Sequence, residues 1–85
     1  MRKYLVLAMR TPAYDPAVAQ PHREFLSVLR EAGMLQESGP FTDGTGGAYI
    51  VLADSRAAAE ARVSTDPLHT SGSSVLTVHE WEITG

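Results

Sequence analysis

The 85-residue sequence predicts a small α+β domain with the element order β-α-β-β-α-β. Three observations predict it. Two short runs, residues 3–9 and 48–53, are apolar apart from Lys3 and have the length of buried strands. Two further segments repeat apolar residues at helical spacing, and each follows one of those strands. Glycine and proline residues, which favour turns, separate the segments.

The first predicted strand, residues 3–9, is apolar on both faces. Alternation places Tyr4, Val6 and Ala8 on one face and Leu5, Leu7 and Met9 on the other. A strand with one face in water would instead alternate apolar and polar residues. We therefore expect both faces of this strand to be covered.

The first predicted helix begins at Pro21, after a proline-rich loop over residues 11–21 with room for a short helical turn. Proline is tolerated at an early helical position, where its missing N–H costs little. The apolar residues at helical spacing, which mark the buried face, are Phe25, Val28, Leu29 and Ala32. Gly33 ends the helix, and residues 34–40 form a short second strand.

The second half of the chain repeats the order strand, helix and strand. Its segments are a turn over residues 42–47, a strand over 48–53, a helix that ends at Asp66-Pro67, a polar loop over 69–74 and a strand over 75–83. Asp54 or Ser55 caps the alanine-rich helix, and Ala59 and Val63 mark its buried side.

This order of elements predicts a ferredoxin-like sandwich, in which an antiparallel sheet carries both helices on one face. The opposite face would then expose large apolar side chains from the first and third strands, more than monomers normally show. Stacking that face on a second copy removes the exposure, so we expect a homodimer in the form of a dimeric α+β barrel. The alternative is a weakly apolar face that loops cover.

Composition narrows the possible functions. The chain has no cysteine, which excludes disulfides and thiolate metal sites. We expect one domain over residues 1–85, and a domain this small then needs association with a partner for its stability. The net charge of −3, with no run of basic residues, argues against a nucleic-acid partner. The N-terminal apolar run is too short for a signal peptide, and no segment approaches a membrane helix. We expect a cytoplasmic protein with no membrane partner.

The predicted topology brings distant polar residues to one edge of the sheet. The start of the first helix, the end of the second helix and the turn between the second and third strands share that edge. His22 continues the buried face of the first helix, and Asp66 continues that of the second. A buried carboxylate needs a partner, and an imidazole is a suitable one. Such a pair lets His22 act as a general acid or base.

Other interpretations of these polar residues stay open. Asp66 could only cap backbone N–H groups of the following loop, with His22 a hydrogen-bonded core histidine. Asp66 and His69 have a spacing that could bind a metal, but two ligands do not make a site. The run Asp43–Gly47 has the glycines of a phosphate-binding loop but neither its lysine nor the following helix, so we expect a hairpin turn. No metal or organic cofactor is expected.

The run SGPFTDGTGGAYIVLADSRAAAEARVSTDPL resembles the signature half of the YciI-like (YCII-related) domain family. The marks are Gly39-Pro40, the glycine-rich turn, the alanine-rich helix and Asp66-Pro67. His22 near the start of the first helix and the terminal HEWEI run resemble the family too, so the similarity covers essentially the whole chain. The resemblance implies a ferredoxin-like fold that forms a dimeric α+β barrel. It also implies that the family's proposed active-site residues fall on His22 and Asp66.

We therefore expect a small enzyme in which Asp66 orients His22 and His22 transfers a proton on a small organic substrate, as in a lyase or an isomerase. Ser38, Gly39 and Pro40 would line the pocket, whose backbone groups could stabilise a developing negative charge. The alternative is a non-catalytic dimeric module that binds a small ligand or assembles with another protein.

Overall fold

The computed structural model describes residues 1–85 and has four strands, three α-helices and a short 3-10 helix. The strands are β1 (Arg2–Arg10), β2 (Leu35–Pro40), β3 (Gly46–Ala53) and β4 (Ser74–Glu80). The helices are α1 (Ala19–Glu31), α2 (Arg56–Val63) and α3 (Pro67–Thr70), with the 3-10 helix at Pro16–Val18. None of these helices is long and apolar enough to cross a membrane.

The four strands form one sheet in the order β2-β3-β1-β4, and every neighbouring pair is antiparallel. This is the strand order of the ferredoxin-like sandwich, so the predicted fold class is confirmed. The pairing of β2 with β3 carries a register shift between Leu35 and Ser38. Beyond that shift Ser38 pairs with Tyr49 and Pro40 with Gly47, which places the end of β2 beside the start of β3.

The core lies between the inner face of the sheet and the helices. Tyr4, Val6 and Val51 from β1 and β3 are fully buried there, against Leu29 of α1 and Ala59 of α2. On the outer face Leu5 and Leu7 are only half-buried, and Val75 of β4 is 59% exposed. Both faces of β1 are therefore apolar, as predicted, but the helices cover only the inner one.

The ends of α1 show why this segment is a helix of this length. Gly33 has a φ of +74°, a left-handed conformation that glycine adopts without strain, and it ends the helix. The Met34 N–H donates to the Leu29 carbonyl at 2.9 Å and the Gly33 N–H to the Arg30 carbonyl at 3.0 Å. These two bonds satisfy carbonyls that would otherwise lack partners at the helix end.

Several predicted details of the helices and of the last strand are wrong. The helix begins at Ala19 rather than Pro21, because the short 3-10 helix leads directly into it. Its buried face includes Leu26 but neither Val28, which is 56% exposed, nor Ala32. The helix is oriented with the face that carries His22 toward the sheet, so Val28 points outward.

The predicted boundaries in the second half also need correction. The helix α2 ends at Val63, and the expected polar loop begins with the separate helix α3. Pro67 starts α3 because proline suits the first turn of a helix. The last strand ends at Glu80 rather than at residue 83, although the Trp81 N–H still donates to the Lys3 carbonyl at 2.8 Å.

Candidate functional site

The structure places His22 and Asp66 in direct contact at one edge of the sheet. His22 lies in the first turn of α1, and Asp66 lies between α2 and α3. The His22 Nδ1 atom is 2.9 Å from Asp66 Oδ1. The Asp66 side chain is fully buried, whereas 19% of the His22 side chain is exposed. The pair therefore has a buried carboxylate end and an accessible imidazole end.

Three donors surround the Asp66 carboxylate. Oδ1 accepts a hydrogen bond from the Leu68 backbone N–H at 2.9 Å, besides its contact with His22. Oδ2 accepts a hydrogen bond from the Tyr49 hydroxyl at 2.8 Å. Asp66 thus caps α3, which was the simpler of the two interpretations of this residue, and also contacts His22 and Tyr49. Both functions belong to the same carboxylate.

This arrangement fixes the tautomer of the His22 ring. An ionised carboxylate only accepts hydrogen bonds, so Nδ1 must carry the hydrogen that lies between His22 and Asp66. In the neutral ring Nε2 then has a free lone pair. Nε2 has no hydrogen-bond partner in the protein, whereas every buried side-chain nitrogen and oxygen has one. Nε2 is therefore accessible from outside the protein interior.

Tyr49 supports the carboxylate from the opposite side. Burial raises the pKa of its hydroxyl well above the ordinary value, and the neighbouring charge of Asp66 and the hydrogen bond to it act in the same direction. The hydroxyl therefore stays protonated and remains a donor to Asp66. Tyr49 was not among the site residues expected from the sequence. The available signal was a phenol at an inward strand position, since a buried tyrosine hydroxyl needs a partner.

Aromatic packing holds the imidazole ring in place. The His22 ring stacks on Phe25 with centroids 6.3 Å apart and an interplanar angle of 21°. The centroid of Tyr49 lies 5.9 Å from that of His22, at a tilted angle of 51°. Phe25 and Tyr49 contact each other edge to face. With Nδ1 bound to Asp66 and two aromatic rings packed around it, the His22 ring has little freedom to reorient.

His22 and Tyr49 line a cavity of about 440 Å³ that opens at this edge of the sheet. Its volume suits a small organic molecule. The three pocket residues predicted from the sequence, Ser38, Gly39 and Pro40, also lie in its wall. Gly46 and Gly47 of β3 complete the floor, where a Cβ on Gly46 would lie 2.1 Å from the Ala8 carbonyl oxygen. Glycine is required there because two backbones approach so closely.

The two remaining histidines, His69 and His79, do not line this cavity. His69 is exposed on α3, and no group of three or more His, Cys, Asp or Glu residues could hold a metal ion. His79 lies on the outer face of the sheet beside Thr77. Of the predicted turn over Asp43–Gly47, only Asp43–Thr45 lie in the connection between β2 and β3, because Gly46 already begins β3. The Asp43 carboxylate accepts hydrogen bonds from the Thr45 N–H and hydroxyl. These hydrogen bonds lower the pKa of Asp43.

Comparison with known proteins identifies the family. Residues 2–82 match the family model of the YCII-related domain. This chain belongs to the YCII-related family. The match spans all three α-helices and all four strands, and it includes His22 and Asp66.

The YCII-related chain is also similar to individual proteins. It is 45% identical over 83 residues to the uncharacterized protein YjpA of Bacillus subtilis (strain 168), with 98% of each chain covered. A structure of 5-chloro-2-hydroxyhydroquinone dehydrochlorinase (TftG) from Burkholderia phenoliruptrix AC1100, in complex with 2,5-dihydroxybenzoquinone, superposes with a TM-score of 0.72. That comparison has 21% identity and covers 94% of this chain and 93% of TftG. The Arabidopsis thaliana protein At3g17210 superposes with a TM-score of 0.59 at 14% identity, covering 100% of this chain and 97% of that one. These two structures support the fold.

Proposed function

We propose that this chain is a small enzyme in which His22 transfers a proton on a small organic substrate and Asp66 positions the His22 ring. The observation that carries the proposal is the contact of Nδ1 with a buried carboxylate, which leaves Nε2 free and accessible. A carboxylate behind the ring also stabilises the imidazolium that forms when Nε2 takes up a proton. One hydrogen bond therefore both orients the ring and stabilises its protonated form, as a general base requires.

The cavity supports a small cyclic substrate. Its volume of about 440 Å³ and its apolar side chains, among them Ala8, Leu26 and Leu68, suit a compound of one or two rings. TftG, which shares the fold, is described as a dehydrochlorinase and is bound to a hydroxylated quinone. We infer that the substrate here is of comparable size and that Ser38, Gly39 and Pro40 lie against it. Removal of a proton by Nε2 would begin either an isomerisation or an elimination.

The test is proton transfer to and from a panel of small cyclic hydroxy and keto compounds. Exchange of carbon-bound hydrogen for deuterium is followed by NMR in D₂O, and 5-chloro-2-hydroxyhydroquinone is assayed for chloride release. We expect turnover by the unaltered protein and a loss of about a hundredfold or more in His22→Ala and Asp66→Asn. His69→Ala is the matched control, because this histidine is exposed and does not line the cavity.

The outcomes separate an enzyme from a non-catalytic module. If His22→Ala and Asp66→Asn fold normally, as judged by circular dichroism, and every turnover is unchanged, the assignment of His22 is wrong. If a compound binds in the cavity but none is converted by the unaltered protein, the chain is a ligand-binding module. Activity that depends on His22 but not on Asp66 would remove the positioning role from the carboxylate.

We also propose that the outer face of the sheet pairs with a second copy of the chain. Leu5 and Leu7 of β1 lie at its centre, with Met9 40% exposed and Val75 59% exposed beside them. Only 16 of 85 residues are buried, so the core of one copy is small. Burying this apolar face would add stability that a chain of this size and without disulfides otherwise lacks.

The pairing is tested by the molar mass in solution. Light scattering should give twice the chain mass for the unaltered protein and a single chain mass for Leu7→Glu, which places a charge at the centre of the face. Ala61→Glu, on the exposed side of α2, is the matched control and should stay dimeric. A single chain mass for the unaltered protein at micromolar concentration would contradict the proposal.

A cytoplasmic location is a further proposal, supported by the lack of cysteine in the chain. Fractionation of cells that express the tagged chain tests it, and recovery with the membrane or secreted fraction would contradict it.

A further inference from the structure

We infer that the cavity recognises an organic oxyanion, a carboxylate or an ionised ring hydroxyl, through the guanidinium groups of Arg10 and Arg23. The inference rests on the proposed function for the site and names the chemistry of its ligand. Both arginines line the same cavity as His22. Neither was singled out by the sequence, because arginines occur throughout the chain and only the fold shows which of them meet.

The position of Arg10 follows from the alternation of β1. It continues the inner-face row of Tyr4, Val6 and Ala8, but it lies at the end of the strand, beyond the core. Its guanidinium carbon is 4.2 Å from the centroid of the Tyr14 ring, which also lines the cavity. This contact holds the guanidinium plane and leaves its N–H edge free. The Arg10 side chain donates no hydrogen bond within the protein.

Arg23 approaches the cavity from α1, one residue after His22. Its Nη2 donates to the Gln20 side-chain oxygen at 2.8 Å, and Gln20 in turn donates to Glu24 at 3.3 Å. The remaining N–H groups of Arg23 have no partner in the protein. A guanidinium has five donors in a planar fork that matches the two oxygens of a carboxylate. Arg23 therefore retains most of its donors for a ligand.

The charges around the cavity are unbalanced. No aspartate or glutamate lies among its lining residues, and Asp66 is buried behind His22 with both oxygens occupied. The ion pairs of the structure are His22 with Asp66 and Arg56 with Glu60, so neither cavity arginine has a carboxylate partner. Two unpaired cations in one cavity of a chain whose net charge is −3 indicate a site for a negative group.

An anionic ligand also fits the proposed chemistry of His22. When Nε2 removes a proton from a carbon next to a carbonyl, the C–H bond breaks, its electron pair forms a carbon–carbon double bond, and the π pair of the carbonyl moves onto its oxygen. The proton stays on Nε2 and returns to another position of the substrate, or a leaving group departs with its electron pair. No oxidant or reductant is needed. Arginines at the cavity would stabilise the oxygen on which the charge develops.

Equilibrium binding tests the inference without any turnover. Benzoate, 4-nitrophenolate and the neutral isostere benzamide are titrated into the unaltered protein, with amide chemical shifts read by NMR. We expect one or both anions to bind at least tenfold more tightly than benzamide and to perturb residues around the cavity. Because both guanidinium groups are solvent-exposed, the affinity should fall as salt rises.

Single substitutions then assign the binding to these arginines. Arg10→Gln and Arg23→Gln should each weaken anion binding at least fivefold, and Arg62→Gln, which makes the same charge change on the exposed side of α2, should leave it unchanged. Binding of benzoate alone identifies a carboxylate, and binding of 4-nitrophenolate alone identifies an ionised ring hydroxyl.

Three results would overturn the inference. They are equal binding of benzamide and the anions, full anion affinity in both arginine variants, and no binding of either anion at about 20 mM, where even weak sites fill. The test is independent of catalysis. If the proposed proton transfer is wrong but the inference is right, the protein and its His22→Ala variant should bind the anion although no compound is converted. If turnover survives in Arg10→Gln and Arg23→Gln and no anion binds, the role of His22 stands and anion recognition by the arginines is wrong.

Discussion

Replacement of Asp66 tests how much stability its carboxylate provides. In Asp66→Ala the Tyr49 hydroxyl and the Leu68 N–H both lose their acceptor in the protein interior. A buried donor without a partner costs about 1–3 kcal/mol, so we expect the free energy of unfolding to fall by about 2–6 kcal/mol. His22 adds little to this sum because its partly exposed ring can be hydrated. The total stability of an 85-residue domain is about 4–13 kcal/mol, so this loss is a large fraction of it.

The isosteric variant Asp66→Asn should cost much less. The amide oxygen can still accept from the Leu68 N–H and from His22, but the amide nitrogen can only donate to the Tyr49 hydroxyl oxygen, so the Tyr49 O–H loses its acceptor. Asp66→Asn therefore leaves one buried donor of the protein without an acceptor where Asp66→Ala leaves two, and the lower desolvation cost of an amide offsets part of the loss. We expect a decrease of about 1–3 kcal/mol.

Urea denaturation followed by far-ultraviolet circular dichroism measures both decreases. Asp54→Asn is the control, because this exposed side chain accepts no hydrogen bond. The order of stability should be Asp54→Asn close to the unaltered protein, then Asp66→Asn, then Asp66→Ala. If Asp66→Ala is as stable as the unaltered protein, or more stable than Asp66→Asn, the three hydrogen bonds do not stabilise the fold as argued.

Three further predictions concern other parts of the site and fold. Because the folded pKa of Tyr49 is raised, its contribution to stability is complete below the ordinary tyrosine pKa of about 10 and is lost above it, at up to about 1.4 kcal/mol per pH unit. Tyr49→Phe should remove this slope in urea denaturation at alkaline pH, and an unchanged slope would refute it. Gly46→Ala should lower the free energy of unfolding by about 1–3 kcal/mol, since its Cβ meets the Ala8 carbonyl. Gly39→Ala, whose Cβ has no atom within 4 Å, should be neutral, and equal decreases in the two variants would contradict the close approach. Ser55→Ala removes the side-chain cap of α2 and should cost about 1 kcal/mol, and a change in denaturation midpoint near zero would show that the cap does not contribute.

The contact between His22 and Asp66 could be predicted because it depends on topology and helical spacing alone. His22 lies on the buried face of α1, Asp66 follows the end of α2, and the order of elements brings these two helix ends to one edge. The distance of 2.9 Å agrees with that expectation. Their chemical roles stay predictions, because a hydrogen bond alone shows no reaction.

The rest of the site could not be predicted from one sequence. The hydroxyl of Tyr49 reaches Asp66 only because of the register of β3 and the packing of α2, and neither follows from alternation. Arg10 and Arg23 are ordinary charged residues until the fold places them at one cavity. The rotation of α1 that exposes Val28 is also a tertiary effect, since helical spacing alone admits more than one apolar face.

The central claim is that the buried carboxylate holds the hydrogen on Nδ1 of His22 and leaves Nε2 as the free base. Long-range ¹H–¹⁵N correlation spectra of the imidazole rings measure this directly, with His69 and His79 as the exposed comparison rings. In the neutral ring of His22 we expect a protonated Nδ1 and an unprotonated Nε2, and we expect Asp66→Asn to reduce this preference. A neutral His22 ring with its hydrogen on Nε2 would contradict the claim.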